Sequence, residues 1–433
     1  MSRLKRFMIS RKTVITLIVL ILIAVIAGYI FPQRFLTAPE KIEKWVQAHP
    51  YLSPISDLLG LDHIYTTFWF AIIVLFFSLS LSISVYDQLK IAWRQTFGMG
   101  GAPIGRTVEL SDEKDSEIVQ LLRDKGYFQL GKSNDERRFI KHPWGYWGKF
   151  LLHLGMAVVI AASLVILLTQ KRGSLYLYEG ETYIPGGEWT IEEKGLLAGS
   201  FVLPMTIRLV SVVPEFWQTD DLKHLTSIIE FTFPGGKSDK YELAVNRTLF
   251  YNGIKIYQSM DFGEAFFVEF INEKGERNGT ILQISKPPDR ARAGYHDFRF
   301  GWMQYVLKTK YFADAEKKSM DSSNPLLVMR LASGRNVISE VHLKKGETGR
   351  LGPYTVRLED VKKWSGIIFV DITGMPGIFS GFFLVIMGSG LAYFTPPREV
   401  ILRRSNEKTF LVRKSTRFEE FYIDEFDKFN TTG

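Results

Sequence analysis

The sequence predicts a membrane protein with four transmembrane α-helices, a large β-rich extracytoplasmic domain and a small α+β cytoplasmic loop domain. Three observations carry this. Four stretches, residues 13–31, 66–86, 150–169 and 377–394, are almost purely apolar and contain no Asp, Glu, Lys or Arg. Basic residues gather at the two ends of the chain. The long segment between the third and fourth stretches repeatedly alternates apolar and polar residues, the period of a strand with one buried face.

Each apolar stretch has 18 to 21 residues. At about 1.5 Å per residue, each is long enough to cross a hydrocarbon layer about 30 Å thick. Helices buried in soluble proteins rarely run this long without a polar face. The first stretch follows Arg3, Lys5, Arg6, Arg11 and Lys12. It is longer than the h-region of a signal peptide, about 7–15 residues, and no small-residue cleavage site follows directly, so a retained anchor is expected. After the fourth stretch come Arg398, Arg403, Arg404, Lys408, Arg413 and Lys414, against Glu399 and Glu407. Positive flanks stay in the cytoplasm, so both ends are expected there. Lys171 and Arg172, at the far end of the third stretch, are the charges that run against this rule. The plan that follows is a cytoplasmic N-terminus and first span (1–31), an extracytoplasmic loop (32–65), a second span (66–86), a cytoplasmic minidomain (87–147) and a third span (148–169). An extracytoplasmic β-rich domain (170–376), a fourth span (377–394) and a cytoplasmic tail (395–433) complete it.

Within the β-rich segment, alternating runs at 174–178, 205–213, 227–233, 255–258, 266–271, 280–284, 303–309 and 354–358 predict antiparallel strands in a sandwich or open barrel. Pro185-Gly186-Gly187, Pro234-Gly235-Gly236, Asn252-Gly253 and Pro287-Pro288 mark turns. In the minidomain, Ser111 is placed to cap a helix over 112–125, with Ile118, Val119, Leu121 and Leu122 on its apolar side and Gly126 at its end. Short strands are expected near 127–130 and 137–141. The tail segment 418–429 alternates acids with aromatics and is expected to pack on the minidomain or on a partner.

The chain has no cysteine. It therefore performs no thiol–disulfide exchange, carries no disulfide and has no CxxCH haem-attachment site. No P-loop, GxSxG, HExxH or strand-to-helix GxGxxG is present, and no catalytic site of its own is expected. The formal charge of +8 is mostly the orientation signal and calls for no nucleic acid; between residues 170 and 372 there are 27 basic and 26 acidic residues.

His153, in Trp147-Gly148-Lys149-Phe150-Leu151-Leu152-His153-Leu154-Gly155, is the one ionisable side chain inside the four apolar stretches, tyrosines aside. It lies about 5 Å into the hydrocarbon from the cytoplasmic end. An ionisable group there is costly and points to function. Imidazole is an axial ligand for haem iron, and the competing role is a hydrogen bond to a neighbouring helix. Gly155 leaves room beside it for a partner or a flat ligand. His49, His63, His142, His224, His296 and His342 show no metal-ligand spacing and read as surface or structural residues. Trp69, Trp144, Tyr146, Trp147 and Trp364 fit interfacial belts.

With these pieces placed, the chain resembles the ResB (CcsB) family of system II cytochrome c biogenesis proteins over nearly its full length. Trp147 to Gly155 resembles the family's Gly/Phe-His-Leu approach to the third helix. Ala244-Val245-Asn246-Arg247-Thr248-Leu249, then Tyr251-Asn252-Gly253-Ile254-Lys255-Ile256-Tyr257-Gln258-Ser259, resembles its Asn-x-Pro-Leu and Gly-x-x-x-Tyr-Gln signature, with Thr248 where Pro is usual. Trp364-Ser365-Gly366-Ile367, followed by Asp371, Gly374, Pro376 and Gly381, resembles its approach to the last helix. The chain lacks the cysteine that many members carry near the inner end of the second helix. The resemblance implies a subunit of a haem-attachment complex in a bacterial inner membrane, non-catalytic by itself. Its implied role is to help carry haem b, as a transient transported substrate, to apocytochrome c. The implied partners are a ResC (CcsA)-type membrane protein and a thioredoxin-like thiol reductant. The helix-three histidine as haem ligand carries over to His153. The alternative is a membrane-anchored scaffold that recruits apocytochrome or partner without binding haem.

Overall fold

The computed structural model describes residues 3–37, 39–98, 106–110, 115–132, 135–321, 324–334, 336–405 and 408–415. Its helices are α1 (Arg3–Met8), α2 (Arg11–Ile30), α3 (Pro39–Ala48), α4 (Ser53–Leu59), α5 (Phe68–Phe97), α6 (Asp115–Asp124), α7 (Gly148–Thr169) and α8 (Met375–Phe394). Four of these, α2, α5, α7 with its 3-10 lead-in Pro143–Trp147, and α8, are long and apolar enough to cross a membrane. The chain divides into two compact units. One draws on Met1–Ile26, Phe68–Leu167 and Gly374–Gly433, the other on Ala27–Thr67 and Leu168–Thr373. The loop between the first two spans thus belongs with the β-rich unit.

In the helical unit, Ser10 caps α2 by accepting a bond from the Thr13 amide at 3.1 Å. Met8 of α1 accepts a bond from the buried Ser80 hydroxyl of α5. The second spanning helix begins at Phe68 and continues past residue 86 to Phe97. The first charge beyond its apolar stretch, Asp87, is paired with Lys5 at 2.5 Å, and Ala92 and Thr96 are buried, so the helix does not stop where its hydrophobicity does.

The minidomain holds α6, and its two expected strands appear as Phe128–Lys132 and Glu136–Lys141. The Ser111 cap lies outside the described residues. The minidomain is not made from the loop alone. Its five-stranded antiparallel sheet runs Arg106–Leu110, Lys408–Ser415, Arg398–Ser405, Glu136–Lys141, Phe128–Lys132. The segment after α8 therefore supplies a central hairpin, correcting the reading of 395–433 as a tail, while 418–429 lies outside the described residues. The reason is burial: Val400, Leu402 and Leu411 complete the core formed by Ile118, Leu122, Tyr127 and Phe139. The same hairpin places Glu399 against Arg138, a buried ion pair, and Arg138 also donates to the carbonyls of Gln95 and Gly98 at 2.6 Å, tying down the end of α5.

The β-rich unit is organised by two 18-residue strands, Ile254–Ile271 and Tyr354–Asp371, paired antiparallel. At about 3.3 Å per residue they form a ribbon about 60 Å long. Two separate four-stranded sheets pack against it. One, with Thr206–Phe216 and Leu222–Thr232 at its centre, buries Ile207, Leu209, Ile229 and Phe231 against Ile256, Phe262, Ile367 and Phe369. The other, with Val306–Phe312 and Leu326–Ser333 at its centre, buries Leu307, Tyr311, Leu327 and Met329 against Phe266, Val268, Phe270 and Leu358. In place of the expected sandwich or open barrel, the unit forms two sandwiches sharing one ribbon. Residues 255–258 and 266–271, read as separate strands, are one strand interrupted by a register shift between Gln258 and Phe262. The Asn252-Gly253 turn is a tight hairpin with positive φ at both residues, 47° and 85°, the conformation this dipeptide favours.

Candidate functional site

His153 is half-buried on α7, and its Nδ1 lies 2.8 Å from the carbonyl oxygen of Lys149, one turn earlier. A carbonyl only accepts, so Nδ1 carries the hydrogen, and in neutral imidazole the lone pair then belongs to Nε2. This is the arrangement in which metal-ligating histidines are usually held, the second ring nitrogen donating to a backbone oxygen.

The orientation of α7 is set by a seam of small residues. Gly148, Gly155 and Ala162 recur at intervals of seven, as do Gly381 and Gly388 on α8. A Cβ on Gly155 would lie 2.6 Å from the Gly381 carbonyl oxygen, and one on Gly148 2.5 Å from the Ala392 amide nitrogen. The backbones of α7 and α8 touch along this line, as small residues allow in membrane helices. The room expected beside Gly155 is therefore filled by α8 and is not a ligand cavity. At about 100° per residue, His153 lies about 160° around the helix from Gly155. The imidazole is on the face of α7 turned away from the α7–α8 seam.

The segments that carry the family resemblance meet in space. Gln258 stands opposite Ile367 in the ribbon, and its Nε2 donates to the Ser365 hydroxyl at 2.6 Å. Gly155 meets Gly381. These residues build the junction between the two β cores and the contact between two spans.

Three of the other histidines make local contacts. His63 pairs with Asp62 at 2.5 Å, His342 with Glu340 at 2.6 Å, and His49 stacks on Trp45. Among the described residues no group of three or more His, Asp or Glu side chains is placed to hold a metal ion. Lys171 and Arg172 are accounted for locally. Lys171 stands opposite Asp371, and Arg172 lies over the Phe35 ring and faces Glu193, whose carboxyl burial pushes up and Arg172 partly restores. Trp364 is a core residue of the β-rich unit, 2% exposed, and not part of an interfacial belt.

Sequence reasoning missed a cleft of about 330 Å³ on the ribbon face opposite the two cores. Tyr176, Tyr178, Trp364, Asp261, Glu181 and His296 line it. Its signal was present in Tyr176 and Tyr178, which alternate with buried Leu175 and Leu177.

Four apolar helices with a β-rich domain inserted before the last of them define a multi-span membrane protein. Residues 11–303 match the ResB-like family, and the chain belongs to it. Cytochrome c biogenesis protein CcsB of Nostoc sp. is 20% identical, the match covering 97% of this chain and 91% of the relative. The CcsB of Prochlorococcus marinus (strain NATL1A) is 21% identical, covering 95% and 93%. Cytochrome c biogenesis protein Ccs1 of Rhodomonas salina is 23% identical, covering 86% and 84%. Among solved structures, Cytochrome c Heme Lyase CcmF aligns with 82% of this chain and 42% of its own at 10% identity and a TM-score of 0.22, too slight a likeness to bear on fold or function.

Proposed function

We propose that this protein is a subunit of a cytochrome c haem-attachment complex that helps to carry haem across the membrane and present it to apocytochrome c. The observation that carries this is the imidazole of His153, with Nδ1 committed to the Lys149 carbonyl and Nε2 left with the lone pair. Family membership and the names of the relatives support cytochrome c maturation as the process. In this reading both termini are cytoplasmic, the β-rich unit is extracytoplasmic, and His153 receives haem b near the cytoplasmic face as substrate in transit. Haem supplies an iron that takes a nitrogen ligand; this chain's part is to hold that nitrogen. The Lys149 carbonyl fixes the tautomer and makes Nε2 a better donor. The exposed Lys149 side chain, about 40° around the helix from His153, is the cation available to a haem propionate. The α7–α8 seam turns the imidazole outward, toward a ResC (CcsA)-type membrane partner that completes the site. With no cysteine, the chain leaves reduction of the apocytochrome thiols to a separate thioredoxin-like protein.

The test is His153→Ala, co-expressed with the partner and purified in detergent. Alanine is tolerated in a spanning helix, so the protein should insert and hold its partner. Co-purified haem and cytochrome c maturation should both fall, and added imidazole should partly restore both by supplying the missing nitrogen. A variant made in normal amounts that retains haem and matures cytochrome c at the normal rate would overturn the ligand role and leave the scaffold reading.

A further inference from the structure

The loop between α2 and α5 is built inside out at α4. Leu52, at the N-cap, and Ile55 and Leu58 within the helix are 43%, 48% and 84% exposed, while Ser53, Ser56 and Gly60 are buried. The three apolar residues recur at every third position, so at about 100° per residue they form one stripe about 120° wide. Ser53, Ser56 and Gly60 fall together on a neighbouring face. Asp57, the one charged residue of α4, is exposed and lies about 160° around the helix from Ile55. A helix folded for water does the reverse, turning its apolar stripe to the core and its small polar residues outward.

The end of α4 is bound to the residues where one span stops and the next starts. Gly60 closes α4 with φ at 64°, and a Cβ there would lie 2.8 Å from the Thr67 methyl group. Thr67 directly precedes Phe68, the first residue of α5. The Leu61 carbonyl accepts from Gln33 Nε2 at 2.8 Å, and the same nitrogen donates at 3.0 Å to the carbonyl of Phe31, the residue after α2. The Arg34 amide donates to the Asp62 carbonyl at 2.7 Å. These bonds hold α4 at the level where α2 leaves the hydrocarbon and α5 enters it. Tyr29 and Phe68, at those two span ends, are exposed as well.

We infer that the stripe Leu52, Ile55 and Leu58 is seated in lipid, at the headgroup–acyl boundary of the leaflet in which α2 ends and α5 begins. The occupant of this face is the bilayer itself, because α4 is fixed beside two spans whose own exposed apolar surface continues into the same layer. Interfacial helices bury their apolar face about 5–10 Å into this boundary. A stripe of three residues is too short to bind a membrane by itself, and it need not, since the two spans deliver it there. The inference is independent of haem binding by His153 and of which side of the membrane the loop occupies.

The absence of cysteine allows a direct test on the full chain. Single variants Leu58→Cys, Ile55→Cys and Asp57→Cys are labelled with the fluorophore NBD and placed in phosphatidylcholine nanodiscs, with no other protein of the complex present. At Leu58 and Ile55, NBD emission should shift to the blue. Phosphatidylcholine spin-labelled near the top of its acyl chain should quench it, and aqueous iodide should quench it several-fold less than at Asp57. Asp57 should show the opposite pattern. The two apolar positions are read separately, so one label that disturbs folding leaves the other to decide. Iodide reaching all three positions alike overturns the inference, because the stripe then faces water. Lipid quenching alike at all three also overturns it, because no one face is then selected. Labels at Leu58 and Ile55 shielded from both quenchers would place the stripe against protein, a second copy of this chain, and overturn it too.

Discussion

The seam between α7 and α8 can be tested at Gly155. Alanine there would bring its Cβ to 2.6 Å from the Gly381 carbonyl oxygen and 2.7 Å from the Val385 amide nitrogen. Carbon–oxygen contacts are comfortable only near 3.4 Å, so the helices must part by about 0.8 Å along the line of contact. Overpacking of this kind costs about 1–3 kcal/mol. Alanine's advantage over glycine as a helix former, about 1 kcal/mol, works in the opposite direction and leaves Gly155→Ala close to neutral or mildly destabilising. Leucine has a similar propensity advantage but places three more carbons in the contact, so Gly155→Leu should break the seam. The absence of cysteine makes the readout clean. A Cβ on Gly377 would lie 2.9 Å from that of Ala162, so the double variant Ala162→Cys, Gly377→Cys should cross-link under mild oxidation. Adding Gly155→Leu should abolish the cross-link and lower the melting temperature by several degrees, at about 2–4 °C per kcal/mol for a unit of this size. Leucine at exposed Ala161 should do neither. If Gly155→Leu cross-links and melts like the parent, the helices do not meet along this line, and the argument for the outward face of His153 fails with it.

Glu264 gives a pH dependence of definite sign. Burial pushes its carboxyl up to about 7, with Glu179 and Asp321 adding to the shift and Lys363 opposing it. The folded state therefore holds the proton more tightly than the unfolded chain. Stability is greatest on the acid side and is lost as pH rises through about 7, by at most about 3 kcal/mol. Melting of the full chain between pH 5 and 8 should show this slope, and Glu264→Gln should flatten it; an unchanged slope in the variant would assign it to another group. Arg138→Met leaves Glu399 buried without its partner and should destabilise the helical unit by about 3–5 kcal/mol, seen as loss of folded protein, with Arg138→Met, Glu399→Leu less affected than the single variant. For sidedness, a periplasmic-active reporter at Gly236 should be active and one at Gly433 inactive; the reverse pattern would invert the proposed topology.

The spans were legible because each is a one-dimensional signal: length, apolarity and flanking charge. Strands such as 206–216 and 222–232 were legible as alternation over their central residues. The shared ribbon was not. Ser259-Met260-Asp261 breaks the alternation between two good runs, and no local period shows that Gln258 will stand opposite Ile367, more than a hundred residues away. The minidomain hairpin was hidden because Arg398, Arg403, Arg404 and Arg413 were read as an orientation signal, whereas Val400, Leu402 and Leu411 beside them carry the packing. At the candidate site, the identity of His153 was legible but its tautomer was not, since that rests on a bond to the Lys149 carbonyl. The seam was written in the sevenfold spacing of Gly148, Gly155 and Ala162, but its partner on α8 could be found only in three dimensions.

The central hairpin of the five-stranded sheet has a consequence for biosynthesis. Strand Glu136–Lys141 emerges from the ribosome early, yet its neighbour Arg398–Ser405 is made only after the whole β-rich unit and α8. During that interval Phe139 and Ile140, wholly buried in the finished protein, have no partner on one edge. In the other unit, Lys171–Tyr178 likewise waits for Trp364 to Asp371 before its sheet can form. Each unit is closed by the last part of it to be translated. A nascent chain that stalls before Trp364 to Asp371 is made therefore presents two unfinished sheet edges at once, and these are the surfaces by which chaperones and proteases can tell it from a completed molecule.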